Sequence, residues 1–549
     1  MIVNQKNIAG KSNIEADICI IGSGAAGITI ALEFLNSDTS VIMLTGGLEK
    51  ESSENRDMYR GASSIKNSHE PLEENRRRAF GGSTLAWGGR CIPYDEIDLK
   101  ERNWIPDSEW PFNLKELRQY EKKAANLCDI GDYNFNAIST FIKNPQKEIL
   151  LGLDNESITS SKLERWSLPV NFAKKHKTVL ESAKNIKVLL NTHVVGMGTS
   201  DENIKNISEV IAYINGKKIK VKANKYIMAC GGIETPRLLL AFKNKDYPHG
   251  IGNARDVVGR YYMAHYCGVH MKIAPKDRNN ILFDFEIDQG VYCRRRWWIT
   301  EKFQKEKKIG NAILFLVANQ DKNGHRDALF SMKYMIKLAI SILRQRSVKN
   351  IKNNWCAIKE HTYIILTKVW KQFPEIISVA FKRSKKRRLP FVLPSVKSPY
   401  LGVYYQSEQI PCRESRLILS EEEKDQFGIP RVIPKYTGSD LDKRTVIETH
   451  KLFVNQYKNA DLGDIKFDEK ELLRQLEFKT KHFNSAAHHI GTTRISEDPS
   501  KGVVDVNCKV HDIDNLFIAG SSVFPTGSHA NPTLMIILMS LRLAEHLKN

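Results

Sequence analysis

Three glycines near the N-terminus have the spacing of a loop that binds phosphate. Residues 22–27 read GSGAAG; they follow an apolar run at 18–21 and precede a helical pattern over 25–35. In such a loop the first glycine permits a tight turn, the second lets a pyrophosphate approach the backbone, and the third lets helix and strand pack closely. The N–H groups at the start of the helix then face the phosphates. The motif predicts a dinucleotide site, rather than a glycine-rich turn without a ligand, formed by Gly22, Ser23, Gly24, Ala26 and Gly27.

The position that usually holds the ribose carries a threonine. A second apolar strand at 41–44 completes a strand–helix–strand unit, and Thr45 follows it. An acidic side chain at this point normally accepts hydrogen bonds from the ribose hydroxyls. The hydroxyl of Thr45 can also bond a ribose oxygen, without the strength of a charge-assisted bond. Thr45 is the predicted ribose contact, and Glu49 reaching back is the alternative.

Further strand and helix signals occur in the middle of the chain. Alternating runs at 210–214 and 217–221 flank Asn215-Gly216, a strong signal for a two-residue hairpin. A buried strand at 226–229 follows, and a helix is predicted from Thr235.

The end of the chain repeats this pattern, with a strand at 516–519 and a long helix at 532–547. Pieces of one doubly wound sheet therefore lie at the start, middle and end of the sequence. We predict an α/β fold, α+β overall, in which a second domain is inserted into a discontinuous Rossmann-like domain. The Rossmann-like domain comprises 1–98, 193–272 and 483–549, and the substrate domain comprises 99–192 and 273–482.

The composition is that of a large globular protein. The chain has 549 residues, of which 41% are hydrophobic and 27% are charged, which excludes a fibrous or largely disordered chain. Its nine cysteines form no C-x-x-C pair, so no zinc or other metal site is predicted, and reduced thiols in a cytoplasmic protein fit best. Residues 1–16 have no apolar core of a secretory signal, and no apolar run approaches the length of a membrane span.

Most of the excess positive charge is concentrated in one segment. The net charge is +20, and residues 321–390 hold 17 basic and 4 acidic residues, a net +13. Basic amphipathic helices can lie on an anionic membrane, so one interpretation of 331–388 is peripheral contact with the inner face of the membrane. The alternatives are a solvated basic surface and helices that cover the substrate domain with their apolar faces inward. Nucleic acid is not predicted as a partner, because no nucleic-acid-binding motif accompanies the charge.

Four later motifs add glycine turns and paired histidines. They read FGGSTLAWGG at 80–89, ACGGIETP at 229–236, AHHIGT at 487–492, and AGSSVFP with HANPT at 519–525 and 529–533. With the first loop, and in this order, the set resembles the glucose-methanol-choline (GMC) family of flavin-dependent alcohol oxidoreductases. The resemblance covers nearly the whole chain and is weak over 273–403.

The resemblance implies FAD as the cofactor of the Rossmann-like domain. The N-terminal glycines match the family's pyrophosphate loop, and residues 81–89 match the loop that lies against the isoalloxazine. Some members attach FAD through a histidine where this chain has Ala86, so non-covalent FAD is expected. The further cofactor contacts implied by the family are Gly81, Gly82, Ser83, Val195, Ala519, Gly520, Asn531, Pro532 and Thr533.

The resemblance also implies two catalytic residues. His488 matches the histidine of the family's H-x-x-G segment, and Asn531 matches the second active-site position, where members carry His or Asn. A histidine can take the hydroxyl proton near neutral pH, while the flavin takes a hydride from carbon. The alternatives left open are His489 as the base, His529 as the second group, and an Asn531 side chain that caps the N–H of Thr533.

The resulting expectation is an FAD-dependent oxidoreductase acting on the CH–OH group of a sugar, polyol or other alcohol. Two alternatives are a non-redox flavoprotein lyase of the same fold and a membrane-surface flavin-binding scaffold. The electron acceptor could be oxygen, a quinone or another protein, and the sequence does not choose among these.

Overall fold

The computed structural model describes most of the chain. The described residues are 2–3, 13–144, 146–167, 170–200, 202–214, 216–282, 284–318, 328, 331–332, 334–336, 338–339, 355–384, 400–480 and 488–549. The predicted turn residue Asn215 and much of the basic segment 321–390 lie outside them.

The helices are numbered here in chain order over the described residues. They are α1 Ala25–Glu33, α2 Ser53–Asp57, α3 Glu96–Leu99, α4 Glu121–Cys128, α5 Ala137–Thr140, α6 Phe172–Ser182, α7 Gly231–Ala241, α8 Glu301–Lys307, α9 Trp355–Ser384, α10 Asp440–Asn459, α11 Glu469–Lys479 and α12 Thr533–Lys548. Among them, no helix combines the length and the apolarity needed to cross a bilayer.

The strands are numbered in the same way. They are β1 Ile2–Val3, β2 Asn13–Ile21, β3 Val41–Leu44, β4 Arg90–Cys91, β5 Ile158–Trp166, β6 Ile186–Leu189, β7 Thr192–Thr199, β8 Ile207–Ile214, β9 Lys217–Met228, β10 His265–Pro275, β11 Glu286–Asp288, β12 Val291–Ile299, β13 Ala312–Ala318, β14 Leu401–Glu408, β15 Arg416–Lys424, β16 Pro430–Lys435, β17 Gly463–Phe467 and β18 Leu516–Ile518.

A mixed sheet in the order β1-β6-β3-β2-β9-β8-β7, with β18 on β9, contains the predicted nucleotide-binding elements. β2 pairs in parallel with β3, and α1 connects them, which confirms the predicted strand–helix–strand unit. β8 and β9 pair antiparallel, as the hairpin signal predicts, and β18 pairs in parallel with β9. The parallel strands carry short, fully buried apolar runs, as expected where helices cover a sheet.

The predicted start of α7 is wrong by four residues. The helix begins at Gly231 rather than at Thr235, so the glycine pair lies inside its first turn. A Cβ on Gly232 would lie 2.3 Å from the carbonyl oxygen of His489. The glycine is therefore required by close packing of the helix on the 488–492 segment, not by a turn before it.

A second sheet in the order β17-β10-β14-β13-β12-β5-β4, with β11 on β12, faces the same central cavity, and β15 pairs with β16 as a separate ribbon. Its core packs against α10 and α11. The sheets do not divide at the predicted boundaries, because β6 belongs to the first sheet and β10, from His265, belongs to the second. The division into two domains stays a prediction.

Candidate active site

A cavity of about 650 Å³ lies at the carboxyl ends of the parallel strands. The N-termini of three helices line it, with Gly24 and Ala25 at α1, Gly231 at α7 and Pro532 at α12. Ligands of open α/β sheets bind in this position, and helix N-termini favour negative charge.

The first glycine loop is built as its spacing predicts. Gly22 has φ +109°, and a Cβ there would lie 2.5 Å from the carbonyl oxygen of Ala229. A Cβ on Gly27 would lie 2.0 Å from the carbonyl oxygen of Gly22, so this glycine permits close packing of α1 on β2. A Cβ on Gly24 would meet nothing within 4 Å, because Gly24 faces the cavity. Gly22, Ser23, Gly24 and Ala26 line the cavity, and Gly27 lies behind it.

Thr45 lies on the cavity wall as predicted for a ribose contact. Its hydroxyl is buried and has no hydrogen-bond partner among the described residues, and the same holds for the hydroxyl of Ser23. Glu49, the alternative, forms an exposed ion pair with Lys177 at 2.7 Å and does not line the cavity.

The expected contact at Val195 needs a correction. Val194 lines the cavity and Val195 does not. Successive side chains of a strand point to opposite faces, and the register of β7 against β8 shifts at this point.

The 80–89 loop meets the first glycine loop at the cavity. A Cβ on Gly82 would lie 2.9 Å from the Cα of Gly24, so the two loops touch. Gly82 and Ser83 line the cavity, whereas Gly81, with φ +95°, lies against Ala173. Ala86 also faces the cavity, and so do Ala519, Gly520, Asn531, Pro532 and Thr533.

His488 and Asn531 are in direct contact at the cavity. The Nδ2 of Asn531 lies 3.1 Å from the Nε2 of His488. α12 has no side-chain cap, so the amide of Asn531 does not cap the helix and is directed to His488 instead. The two residues, 43 positions apart in the chain, are brought together as the family resemblance implies.

A chain of hydrogen bonds runs through this pair. The Nδ1 of His488 lies 2.9 Å from the Nδ1 of His265, whose Nε2 lies 2.9 Å from the carbonyl oxygen of Ser528. On the other side, the Nε2 of Gln406 donates to the Oδ1 of Asn531 at 3.4 Å, and Arg90 donates to the Oε1 of Gln406 at 3.1 Å.

Both ends of this chain determine where the protons lie. A carbonyl can only accept, so His265 must donate through Nε2, and its Nδ1 must accept from His488. A guanidinium can only donate, so Gln406 accepts through Oε1 and donates to Asn531, which then donates to His488. The two directions agree: the proton of His488 is on Nδ1, and its Nε2 is unprotonated.

Burial keeps both imidazoles neutral. Desolvation, His265 and Arg90 hold the pKa of His488 well below its usual range. Burial, with a contribution from His529, lowers the pKa of His265 to about 4. A neutral ring with an unprotonated Nε2 is the form that a general base requires, and here that nitrogen accepts from Asn531.

The rival histidines are engaged elsewhere. His489 also borders the cavity, but its ring stacks on Tyr262 with centroids 6.0 Å apart. His529 does not line the cavity; its Nε2 donates to Asp95 at 2.9 Å.

The cavity beyond His488 is lined by aromatic rings and two guanidiniums. Trp87, Trp166 and Phe315 face it together with Arg90 and Arg294. The two arginines share the buried carboxylate of Glu164, at 2.6 Å and 2.9 Å, and they lower the pKa of Glu164 to about 2 against the effect of burial.

Sequence reasoning missed His265, Gln406 and Arg90 as parts of the site. His265 and Gln406 lie in no pattern that indicates chemistry, whereas Arg90 directly follows the 80–89 motif but is not among the predicted site residues. The three come from β10, β14 and β4 of the second sheet. Only the fold brings them beside residues 488 and 531.

Comparisons with known proteins find similar sequences. A family model described as GMC oxidoreductase matches residues 411–540. Fructose dehydrogenase large subunit of Gluconobacter japonicus is 22% identical over 98% of both chains. 2-Methyl-1,2-propanediol dehydrogenase of Mycolicibacterium austroafricanum is 20% identical over 97% of this chain and 95% of that one.

Over residues 411–540 the chain is similar to the GMC oxidoreductase family. The family model covers both His488 and Asn531.

The solved structures support the fold. Pyridoxine 4-oxidase from Mesorbium loti superposes with a TM-score of 0.55 at 13% identity, over 97% of this chain and 99% of that chain. A formate oxidase variant from Aspergillus oryzae RIB40 gives a TM-score of 0.54 at 15% identity, over 98% and 99%. The predicted fold class is thereby confirmed.

Proposed function

We propose that this protein is a GMC oxidoreductase that uses non-covalently bound FAD to oxidise the CH–OH group of a sugar, polyol or other alcohol. The observation that carries the proposal is the unprotonated Nε2 of His488, which lies beside the amide of Asn531 on the wall of the cavity. The names of the two dehydrogenases above, which refer to a sugar and a diol, support a hydroxyl substrate.

The residues that line the cavity leave the space and offer the hydrogen-bonding groups that FAD requires. The open side of Gly24 leaves room for a pyrophosphate at the start of α1, and the partnerless hydroxyls of Ser23 and Thr45 suit the phosphate and ribose. Gly82, Ser83, Ala519, Gly520, Pro532 and Thr533 would hold the rest of the cofactor. Ala86 has no group that could bond covalently to a flavin. When bound, FAD supplies the hydride acceptor.

The protein's own residues handle the proton and the orientation of the substrate. When the substrate binds, its hydroxyl replaces the N–H of Asn531 at the Nε2 of His488. This nitrogen accepts the hydroxyl proton, and the released amide of Asn531 donates to the substrate oxygen. Both side chains are partly buried on the cavity wall, where a bound substrate would displace water and strengthen both hydrogen bonds. Arg90, two hydrogen bonds away, adds positive charge that favours the developing alkoxide.

The wall beyond His488 suits a polyol. Trp87 offers apolar contact to the C–H groups of a sugar ring, and Arg90, which lies over the ring of Phe315 at 4.8 Å, offers a polar group on the same wall. All nine cysteines are unpaired, which fits a reducing compartment, and we place the enzyme in the cytoplasm on that ground.

Anaerobic mixing of the yellow holoenzyme with a panel of sugars, polyols and simple alcohols tests the proposal. Bleaching of the flavin band by one class identifies the substrate, and His488→Ala should stay yellow but bleach far more slowly. Admission of oxygen afterwards separates an oxidase from a dehydrogenase that needs a quinone or a protein. Turnover of a substrate without bleaching would favour a lyase, and full function of His488→Ala would favour a scaffold.

A further inference from the structure

α9 presents a continuous apolar stripe to the solvent. Five large side chains at spacings of three and four residues are exposed by half or more: Tyr363 (68%), Leu366 (69%), Trp370 (77%), Phe373 (51%) and Ile377 (52%). At about 100° per residue these positions fall on one face of a helix. Trp355, 52% exposed, extends the same face by two turns toward the N-terminus.

The opposite face of α9 is packed. His361 and Ile364 are only 3% and 7% exposed. The Nδ1 of His361 lies 3.1 Å from the hydroxyl of Ser331, and its ring stacks on Tyr334 with centroids 4.1 Å apart. The helix is therefore held by one side, which directs the stripe outward.

The stripe has the composition of a surface that contacts lipid. From position 355 to 377 it runs roughly 33 Å at 1.5 Å per residue, and four of its six members are aromatic. Aromatic rings favour the boundary between water and acyl chains, and a contiguous apolar patch of this size is rare on a soluble monomer. Lys359 lies in line with the stripe, its Nζ 5.4 Å from the ring of Trp355, where its charge can reach lipid phosphates.

The sequence of the segment that contains the stripe is basic, and α9 itself holds five Lys or Arg against two Glu. Residues 321–390 carry a net +13 of the chain's +20. Anionic lipid headgroups attract a basic segment electrostatically, whereas an uncharged apolar groove on another protein does not. A long, narrow stripe on a single helix also matches the in-plane position of an amphipathic helix at a membrane surface.

We propose that the exposed stripe of α9 (Trp355, Tyr363, Leu366, Trp370, Phe373 and Ile377) docks this enzyme on the surface of an anionic lipid bilayer. The helix lies in the plane of the surface with the stripe in the acyl boundary and the basic residues at the phosphates. This docking is independent of the reaction proposed above, since none of the stripe residues lines the cavity.

Co-sedimentation of the full-length holoenzyme with vesicles tests the docking. We expect binding to phosphatidylcholine vesicles that contain phosphatidylglycerol, little binding to phosphatidylcholine alone, and release by salt. The double variant Leu366→Glu/Trp370→Glu should lose at least tenfold in vesicle affinity. Its matched control is Ile142→Glu/Leu151→Glu, which makes the same charge change at side chains 73% and 74% exposed elsewhere and should bind as the wild type does.

A second measurement does not depend on a charged substitution. Lipids brominated near the top of the acyl chain should quench part of the tryptophan fluorescence, and Trp370→Phe should remove part of that quenching while vesicle binding persists. The proposal is overturned if the wild type ignores anionic vesicles, if both double variants bind equally, or if the α9 variant instead abolishes self-association seen by light scattering. Turnover and flavin colour should be unchanged in all variants. A failure of membrane docking can therefore be distinguished from a failure of the proposed reaction.

Discussion

At the scale of single residues, the site is defined by the proton on one nitrogen. His488 is placed between an acceptor, His265, and a donor, Asn531, and the ends of the hydrogen-bond chain leave only one arrangement of protons. The histidine and asparagine could be predicted from short motifs, because they lie beside glycine and proline turns typical of a family. His265 and Gln406 could not, because a histidine or glutamine in a strand has no local signal for its partner more than a hundred residues away.

The acid limit of activity follows from the burial of His488. Because the neutral ring is the active form and its pKa lies well below 6.5, lowering the pH should abolish kcat/KM only well below that value. The measurement is kcat/KM against pH, with the stability of the holoenzyme followed in parallel. An acid limb at or above the ordinary pKa of histidine would contradict this assignment.

His265 should act as a positioning residue. His265→Leu removes the acceptor for the Nδ1 proton of His488, so the ring can move its proton to Nε2, and kcat should fall on the order of ten- to a hundredfold with a small change in KM. His265→Asn, whose side-chain oxygen can accept, should recover part of the rate. A purely structural role would instead lower thermal stability and FAD content in both variants without this difference between them.

At the scale of elements, glycines with different neighbours perform different tasks. Gly24 opens on the cavity at the start of α1, whereas Gly27 lies against the carbonyl oxygen of Gly22. The same spacing that predicts a phosphate loop therefore contains one position for the ligand and one for packing. The sequence predicts the loop but not the bulge in β7, which moves the cavity contact from Val195 to Val194.

Alanine at the two glycines should separate binding from folding. Gly24→Ala should leave the stability of the apoprotein unchanged and weaken FAD binding, because its Cβ enters the space for the pyrophosphate. Gly27→Ala should lower the free energy of unfolding by ~1–3 kcal/mol, since its Cβ would lie 2.0 Å from a carbonyl oxygen. Urea unfolding of the apoproteins and FAD titration measure the two effects. Equal loss of stability in both variants would show that Gly24 is also a packing position.

At the scale of the whole molecule, the active site forms where two sheets meet. The first sheet could be predicted in outline because its strands are short apolar runs followed by glycine turns. The second could not, because β5 and β12 carry charged residues that look like surface positions: Glu164, Arg294 and Arg296 are 0%, 4% and 0% exposed. Arg294 and Glu164 compensate each other's charge across the pair β5–β12, which a pattern of hydrophobicity does not reveal.

Removal of FAD should destabilise the entire chain. A non-covalent cofactor that binds only the folded state adds about 2.7 kcal/mol when its free concentration is about one hundred times Kd. The melting temperature should fall after FAD is stripped, rise again in proportion to the logarithm of added FAD, and the released cofactor should be found in the supernatant after acid precipitation. Colour that stays with the precipitated protein would disprove non-covalent attachment.

The hydrogen-bond chain from Arg90 to the carbonyl of Ser528 joins two adjacent strands of the second sheet, which carry Gln406 and His265, to His488 and Asn531, which lie outside both sheets. A small displacement of the second sheet would break the hydrogen bonds that keep the proton of His488 on Nδ1, while the glycine loops that line the cavity would stay in place. Substitutions that displace this sheet should therefore give a protein that still binds its cofactor but turns over slowly. Substitutions that accumulate on the two sides of the site must compensate for each other if turnover is to be retained.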